Sequence, residues 1–229
     1  EVELGPVEQV IMSRKALIVA VDAYREPYTL HSGGRDLADI GDVLRMSGFS
    51  TNILYDGQAT KAAILAGLRS LVQNAQPRES ISFAFFGHGG QMPSGEDDGI
   101  SECLCAYDWE SGGLVWDREI DAIMTGIKPG VTCDMFFGCC FAGGLVEVPG
   151  ADVISWQACR EEEYSASVKL DGVWRGLFPM FLREAYYETP LGTRDDIFRH
   201  VAYWTTFYVP TQHPVMRCTE SEGKQLLFI

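Results

Sequence analysis

A chain of 229 residues, 46% of them hydrophobic, is long enough for one large domain or two small ones around a sizeable core. Its 18 Lys and Arg against 32 Asp and Glu leave a net charge of −14, which repels phosphate backbones and anionic membrane surfaces and argues against nucleic acid or membrane partners. Seven cysteines, odd in number and without a CxxC pair, argue against a disulfide framework or zinc site and for a reduced, cytoplasmic setting.

In chain order, Glu1 to Met12 reads as a linker or fusion remnant, with Met12-Ser-Arg-Lys a candidate natural start and a truncated upstream domain an equal alternative, and residues 13–229 read as a single domain. No signal peptide opens the chain, and no apolar run approaches the roughly twenty residues of a membrane-spanning helix. Lys15 to Val21 reads as a buried strand, followed by a helix from Asp36 to Met46 with Leu37, Ile40 and Leu44 on one face and Gly48 as its stop. Ser50 to Tyr55 is a second strand. Thr60 caps a helix that presents Ile64, Leu68, Leu71 and Val72, and Ser80 to Phe86 is a third strand. A long Gly- and acid-rich loop comes next, then a short helix from Asp117 to Met124 and strands at Val131–Phe137 and Asp152–Ala158. Helices near Leu177–Tyr187 and Thr193–Tyr208 follow, the second with a capping-box pair Thr193/Asp196, and Gln225 to Ile229 reads as the last strand. About six strands alternating with helices predict one α/β domain with a mainly parallel sheet, because parallel neighbours need crossover connections.

In such a sheet, ligands gather beyond the carboxyl ends of the strands. Two segments there carry chemistry: Phe85-Phe-Gly-His-Gly-Gly90 after the third strand, and Phe136-Phe-Gly-Cys-Cys-Phe-Ala-Gly-Gly144 after the fourth. A histidine and a cysteine thus leave successive strands, embedded in glycines that let backbone approach a substrate carbonyl. Main-chain N–H groups near Gly89 and Cys140 can form an oxyanion hole, and a thiol beside an imidazole is partly activated. Either residue alone would read as structural; the pairing at one sheet end favours catalysis. No Gly-x-Ser-x-Gly elbow, phosphate loop or dinucleotide fingerprint follows a strand.

The strand–Gly-His-Gly-Gly segment followed 52 residues later by strand–x-Cys-x-x-Gly resembles the caspase-type cysteine peptidases, and specifically metacaspases. Asp36-Leu-Ala, Gly95 to Glu102, Tyr107-Asp108 and Gln212-His-Pro214 agree in order with further stretches of that family. The resemblance implies a caspase-like six-stranded sheet flanked by helices, and a thiol endopeptidase acting on protein or peptide substrates. Cys140 is the implied nucleophile and His88 the general acid/base, with no cofactor. Gln157-Ala-Cys-Arg160 matches four letters of a caspase signature, but Glu161 stands where that signature has glycine, so Cys159 ranks third, behind Cys140 and Cys139.

Departures narrow what carries over. The family's acidic residue two before the nucleophile is Gly138, and the serine before its Gly-His is Phe86. Only Asp36 remains of the acidic pair that, as the resemblance implies, selects Arg or Lys on the acyl side, so Asp36, Gly138 and Phe86 are the expected substrate-binding positions, for a basic residue through Asp36 or, as the alternative, an apolar or unusual one. The stretches matching the family's calcium ligands hold Ser101, Asp117, Arg118 and Glu147, and an arginine there opposes a cation; Glu96, Asp97, Asp98 and Glu102 lack EF-hand spacing. Metal-independent activity is expected. His31, His200 and His213 read as structural. The polar segment from Arg160 to Arg175 is a site where self-cleavage is conceivable, with an uncut loop the simpler expectation. The rival reading is a catalytically silent scaffold that binds a peptide or protein partner, motivated by Phe86, Gly138 and Phe141; a ligand-binding domain with incidental His and Cys is a third.

Overall fold

A computed structural model describes residues 13–93, 99–146 and 152–228. The linker expectation for residues 1–12 lies outside them. β1 (Arg14–Ala20) is a continuous apolar run, as a strand covered on both faces must be, and leads into α1 (Gly33–Met46). That helix starts three residues earlier than the periodicity suggests, because both carboxylate oxygens of Asp22 accept the Gly33 and Gly34 amides at 2.8 Å and satisfy its first turn. β2 (Ser50–Tyr55) and α2 (Lys61–Asn74) follow; Thr60 Oγ1 accepts the Ala63 amide at 3.2 Å, the expected cap. β3 (Ser80–Phe86) ends at the histidine segment.

The stretch after β3, expected to be a long loop, instead contains a second sheet: β4 (Gly89–Pro93), β5 (Ile100–Leu104) and, after the short α3 (Trp109–Gly112), β6 (Val115–Trp116). Its strands are short, two to five residues, and β4 opens on two glycines, which hides the alternation a strand normally shows. α4 (Asp117–Met124), β7 (Thr132–Gly138) and β8 (Val153–Gln157) lie where expected. The segment from Arg160 to Arg175, read as a polar loop, carries the hairpin β9 (Ser167–Leu170) and β10 (Val173–Gly176). α5 (Leu177–Glu188) and α6 (Arg194–Tyr208) complete the helical layer, and the Thr193/Asp196 capping box forms.

The main sheet has the order β11-β8-β7-β3-β1-β2, where β11 is Val215–Arg217. All neighbours are parallel except β11, which runs antiparallel to β8. The sixth strand is therefore not Gln225–Ile229. That apolar run follows the short α7 (Glu220–Gly223), and Leu227 and Phe228 are buried in the second apolar cluster, Phe228 edge-on to Phe49 and against Phe136 of β7. Burial of apolar surface does not require a ladder.

The sheet separates two apolar layers: α2 and α4 cover one face through Leu68, Val72 and Ile120, and α1, α5 and α6 cover the other through Ile40, Phe178 and Val201. One buried ion pair crosses the second layer. Arg194, at the start of α6, donates through Nε and Nη2 to both oxygens of Asp134 on β7 at 2.9 and 2.8 Å, and Trp156 Nε1 donates to the same carboxylate at 2.9 Å. This fork-to-fork pairing anchors the strand that carries the cysteines.

Candidate active site

The β3–β7 ladder pairs Phe86 with Gly138. His88 and Cys140 each stand two residues beyond that pair, at the carboxyl ends of adjacent parallel strands, and the register alone makes them neighbours. Both line a cleft of about 180 Å³ together with Ser32, Asp36, Cys139, Ser165, Ser167 and Gly176. The cleft lies where β1 and β3 leave the sheet in opposite directions of strand order, the usual position for a ligand in an open α/β sheet.

His88 is held from three sides. Its amide donates to the Tyr24 hydroxyl at 3.0 Å, the Tyr24 ring packs 4.7 Å from the imidazole, and Nε2 lies 2.7 Å from the Tyr28 carbonyl. A carbonyl only accepts, so Nε2 carries the proton and Nδ1 remains as the basic nitrogen. Tyr24 itself is buried and donates to the Cys105 carbonyl at 2.7 Å. Neither tyrosine was legible as a site residue, because one acts through backbone contacts and the other through its own carbonyl.

Cys140 is half-buried and donates weakly to the Ser165 carbonyl at 3.8 Å, while burial pushes its thiol above the ordinary range. The other two candidates differ. Cys139 is buried at the cleft's inner wall with its thiol raised by burial, and Cys159 is wholly buried, its Sγ 3.4 Å from the Cys139 carbonyl and 3.3 Å from the Glu163 carbonyl. Burial pushes the Cys159 thiol up to about 12. Seven free thiols remain in the chain. Gly89 sits against the Cys140 segment: a β-carbon there would come 2.1 Å from the Cys140 carbonyl oxygen, so only glycine lets the two backbones meet.

The positions expected to bind substrate, Asp36, Gly138 and Phe86, also lie close together. A β-carbon on Gly138 would lie 2.4 Å from the Phe86 ring. Phe86 thus fills the space above residue 138, and the two departures from the acidic pattern are one packing change. Asp36, 4% exposed, accepts the Gly176 amide on Oδ1 at 2.7 Å and a hydrogen bond from Ser32, whose hydroxyl is 2.8 Å from that of Ser167. Burial raises its carboxyl to about 7, against the lowering effect of those hydrogen bonds. No cation pairs with it among the described residues.

Of the residues matched to calcium ligands, Ser101, Asp117 and Arg118 are described. Asp117 accepts the Arg118 and Glu102 amides on its two oxygens, and the Arg118 guanidinium reaches Ser101 Oγ at 3.5 Å. A guanidinium inside a hard-cation site opposes binding. Glu96, Asp97, Asp98 and Glu147 lie outside the described residues. His31 lies exposed before α1, His200 faces Glu188, and His213 pairs with Glu163. Among the described residues no helix is long and apolar enough to cross a membrane.

The family model described as "Metacaspase, peptidase C14 domain" matches residues 14–149, a span that holds both His88 and Cys140. Metacaspase-1A of Aspergillus niger is 31% identical over 150 residues, covering 59% of this chain and 37% of the relative. Metacaspase-1 of Emericella nidulans is 32% identical over 150 residues with the same shares. The match thus spans just over a third of these curated relatives' length. A crystal structure of a protein from Geobacter sulfurreducens superposes with a TM-score of 0.75 at 18% identity, covering 94% of this chain and 98% of that one, which shows a shared fold.

Proposed function

The chain belongs to the metacaspase family of C14 peptidases, and from that premise we propose that it is a cysteine endopeptidase with Cys140 as nucleophile and His88 as general acid/base. The observation that carries this reading is their common placement: two strand ends in register, one cleft, and an imidazole whose proton sits on the far nitrogen. His88 Nδ1 takes the thiol proton as Cys140 Sγ attacks the scissile carbonyl. The amides of Gly89 and Cys140 receive the developing oxyanion. The imidazolium then gives its proton to the leaving amine, and water, deprotonated by the same nitrogen, hydrolyses the thioester. A thiol raised by burial fits this order of events, since it favours transfer to the imidazole in the presence of substrate over a standing ion pair.

Among the described residues Asp36 is the one carboxylate lining this cleft, and we assign it to a basic side chain on the acyl side of the cleaved bond. With Phe86 over Gly138, that side chain meets a single acid and the hydroxyls of Ser32 and Ser167. The Arg118 guanidinium supports activity without calcium. Intact His88 and Cys140 favour turnover over a silent scaffold. The test is a peptide-library cleavage profile at neutral pH with and without calcium, run beside the Cys140→Ala protein; cleavage by both proteins alike would remove the assignment.

A further inference from the structure

Between β8 and β9 the chain runs past the nucleophile, and this segment, residues 160–166, is fastened by two side chains from the turn before β11. Gln212 is wholly buried: its Nε2 donates to the Ala158 carbonyl at 2.9 Å and its Oε1 accepts the Ala166 amide at 2.9 Å, one fastening on each side of the segment. His213 grips the middle. Its amide donates to Glu163 Oε2 at 2.8 Å, and its Nδ1 is 2.6 Å from Oε1 of the same carboxylate. Glu163 also accepts the Arg160 amide at 3.2 Å, with the Arg160 guanidinium 3.9 Å away. Burial acts to raise the Glu163 carboxyl, but the His213 and Arg160 hydrogen bonds outweigh it and hold the group below the ordinary range.

What the fastened segment touches makes it more than a surface turn. The Glu163 carbonyl accepts the Phe141 amide at 2.9 Å, and the Tyr164 ring packs edge-on to Phe141 at 5.0 Å. Phe141 directly follows the nucleophile and is left-handed, with φ 57°, a conformation that a phenylalanine holds only under external constraint. The Ser165 carbonyl accepts from the Cys140 thiol, and Ser165 and Ser167 form one wall of the cleft. The strained turn after Cys140, the partner of its thiol and the cleft wall therefore all depend on one segment, held at its ends by Gln212 and at its middle by the Glu163–His213 contact.

We propose that Glu163 and His213 are positioning residues of this site: their contact latches residues 160–167 against Cys140 and so fixes the nucleophile's turn and the cleft wall. The proposal rests on Cys140 being the nucleophile, but only for its consequence on turnover. Neither side chain touches the cleft, and both act through backbone. Charge-assisted hydrogen bonds of this length are the stronger kind, and a misplacement of about 1 Å at a reacting centre can cost on the order of a hundredfold in rate.

Two rates measured on the same variants test it: alkylation of Cys140 by iodoacetamide, followed by mass spectrometry, and turnover of a peptide substrate. In His213→Ala and in Glu163→Ala, alkylation should rise about tenfold because the segment no longer covers the thiol, while kcat/KM falls about tenfold, with kcat and KM both moving. The double variant should be no worse than either single one, since the two residues form one contact. His213→Asn, which can return a donor near the Nδ1 position, should restore most of both rates, and it serves as the readout if an alanine variant folds poorly. Unchanged alkylation in the alanine variants overturns the latch, as does a double variant that loses the product of the single effects. Alkylation that responds in a protein without peptide turnover leaves the latch standing and removes the peptidase reading; the reverse pattern does the opposite.

Discussion

Asp36 and Asp39 lie one turn apart on α1, both buried, and their surroundings are opposite. Asp39 faces three guanidinium groups, Arg35 at 3.0 Å, Arg175 at 3.5 Å and Arg183 at 3.7 Å. Burial raises its carboxyl, and those three cations oppose the rise. Asp134, deeper in the core, has its own Arg194 fork. Among the described residues Asp36 has an amide and a hydroxyl as partners but no cation, and burial takes it to about 7. The difference separates two uses of a buried acid. Where the counter-ion is built in, the acid braces the fold; where it is missing beside Cys140, the acid has the charge and position that the proposed role of receiving a cation from outside requires.

The largest effects are expected at the cleft. Cys140→Ala and His88→Ala should each lower peptide cleavage by about a thousandfold or more while leaving the thermal midpoint close to that of the parent, as measured by steady-state kinetics beside calorimetry. The braced side should respond the other way. Asp134→Ala strands a buried guanidinium and should cost about 3–5 kcal/mol in denaturant unfolding, and Arg194→Ala a similar amount.

Asp36→Asn sharpens the contrast. A neutral amide keeps the hydrogen bonds but loses the attraction for a cation, so cleavage after Arg or Lys should drop about a hundredfold while neutral acyl-side residues are nearly unaffected. The pH dependence has a definite sign. Asp36 is uncharged below about 7 and anionic above it, so KM for basic substrates should fall as pH rises through that value and level off beyond it. A bound guanidinium stabilises the anion, which moves the inflection lower in the complex. The Asn variant should show no such step. The smallest effect concerns Gly138: Gly138→Ala drives a methyl into the Phe86 ring and should cost about 1–3 kcal/mol, relieved when Phe86→Ser is added.

Much of this arrangement was legible in the order of residues. The strand ends carrying His88 and Cys140 stood out because glycines interrupt apolar runs there, and a parallel sheet places such ends side by side. Asp36 was legible only through resemblance, since nothing local distinguishes it from Asp39. The sixth strand was misplaced because Val215–Arg217 has three half-buried residues on a sheet edge, whereas Gln225–Phe228 carries the stronger apolar pattern but packs without a ladder. The β9–β10 hairpin had a usable signal in Asp171-Gly172, whose φ values of 49° and 82° suit a two-residue turn between strands. Tyr28, Ser165 and Gly176 act through main-chain atoms, which residue identity does not announce.

The most direct test of the unfilled acid beside the nucleophile is a peptide-library cleavage profile taken at about pH 6 and about pH 8, on either side of the Asp36 value, with Cys140→Ala in parallel. Cleavage after Arg or Lys that strengthens at the higher pH and vanishes without Cys140 is the predicted result. Cleavage that survives Cys140→Ala, or that ignores the charge of the residue before the bond at both pH values, would contradict it.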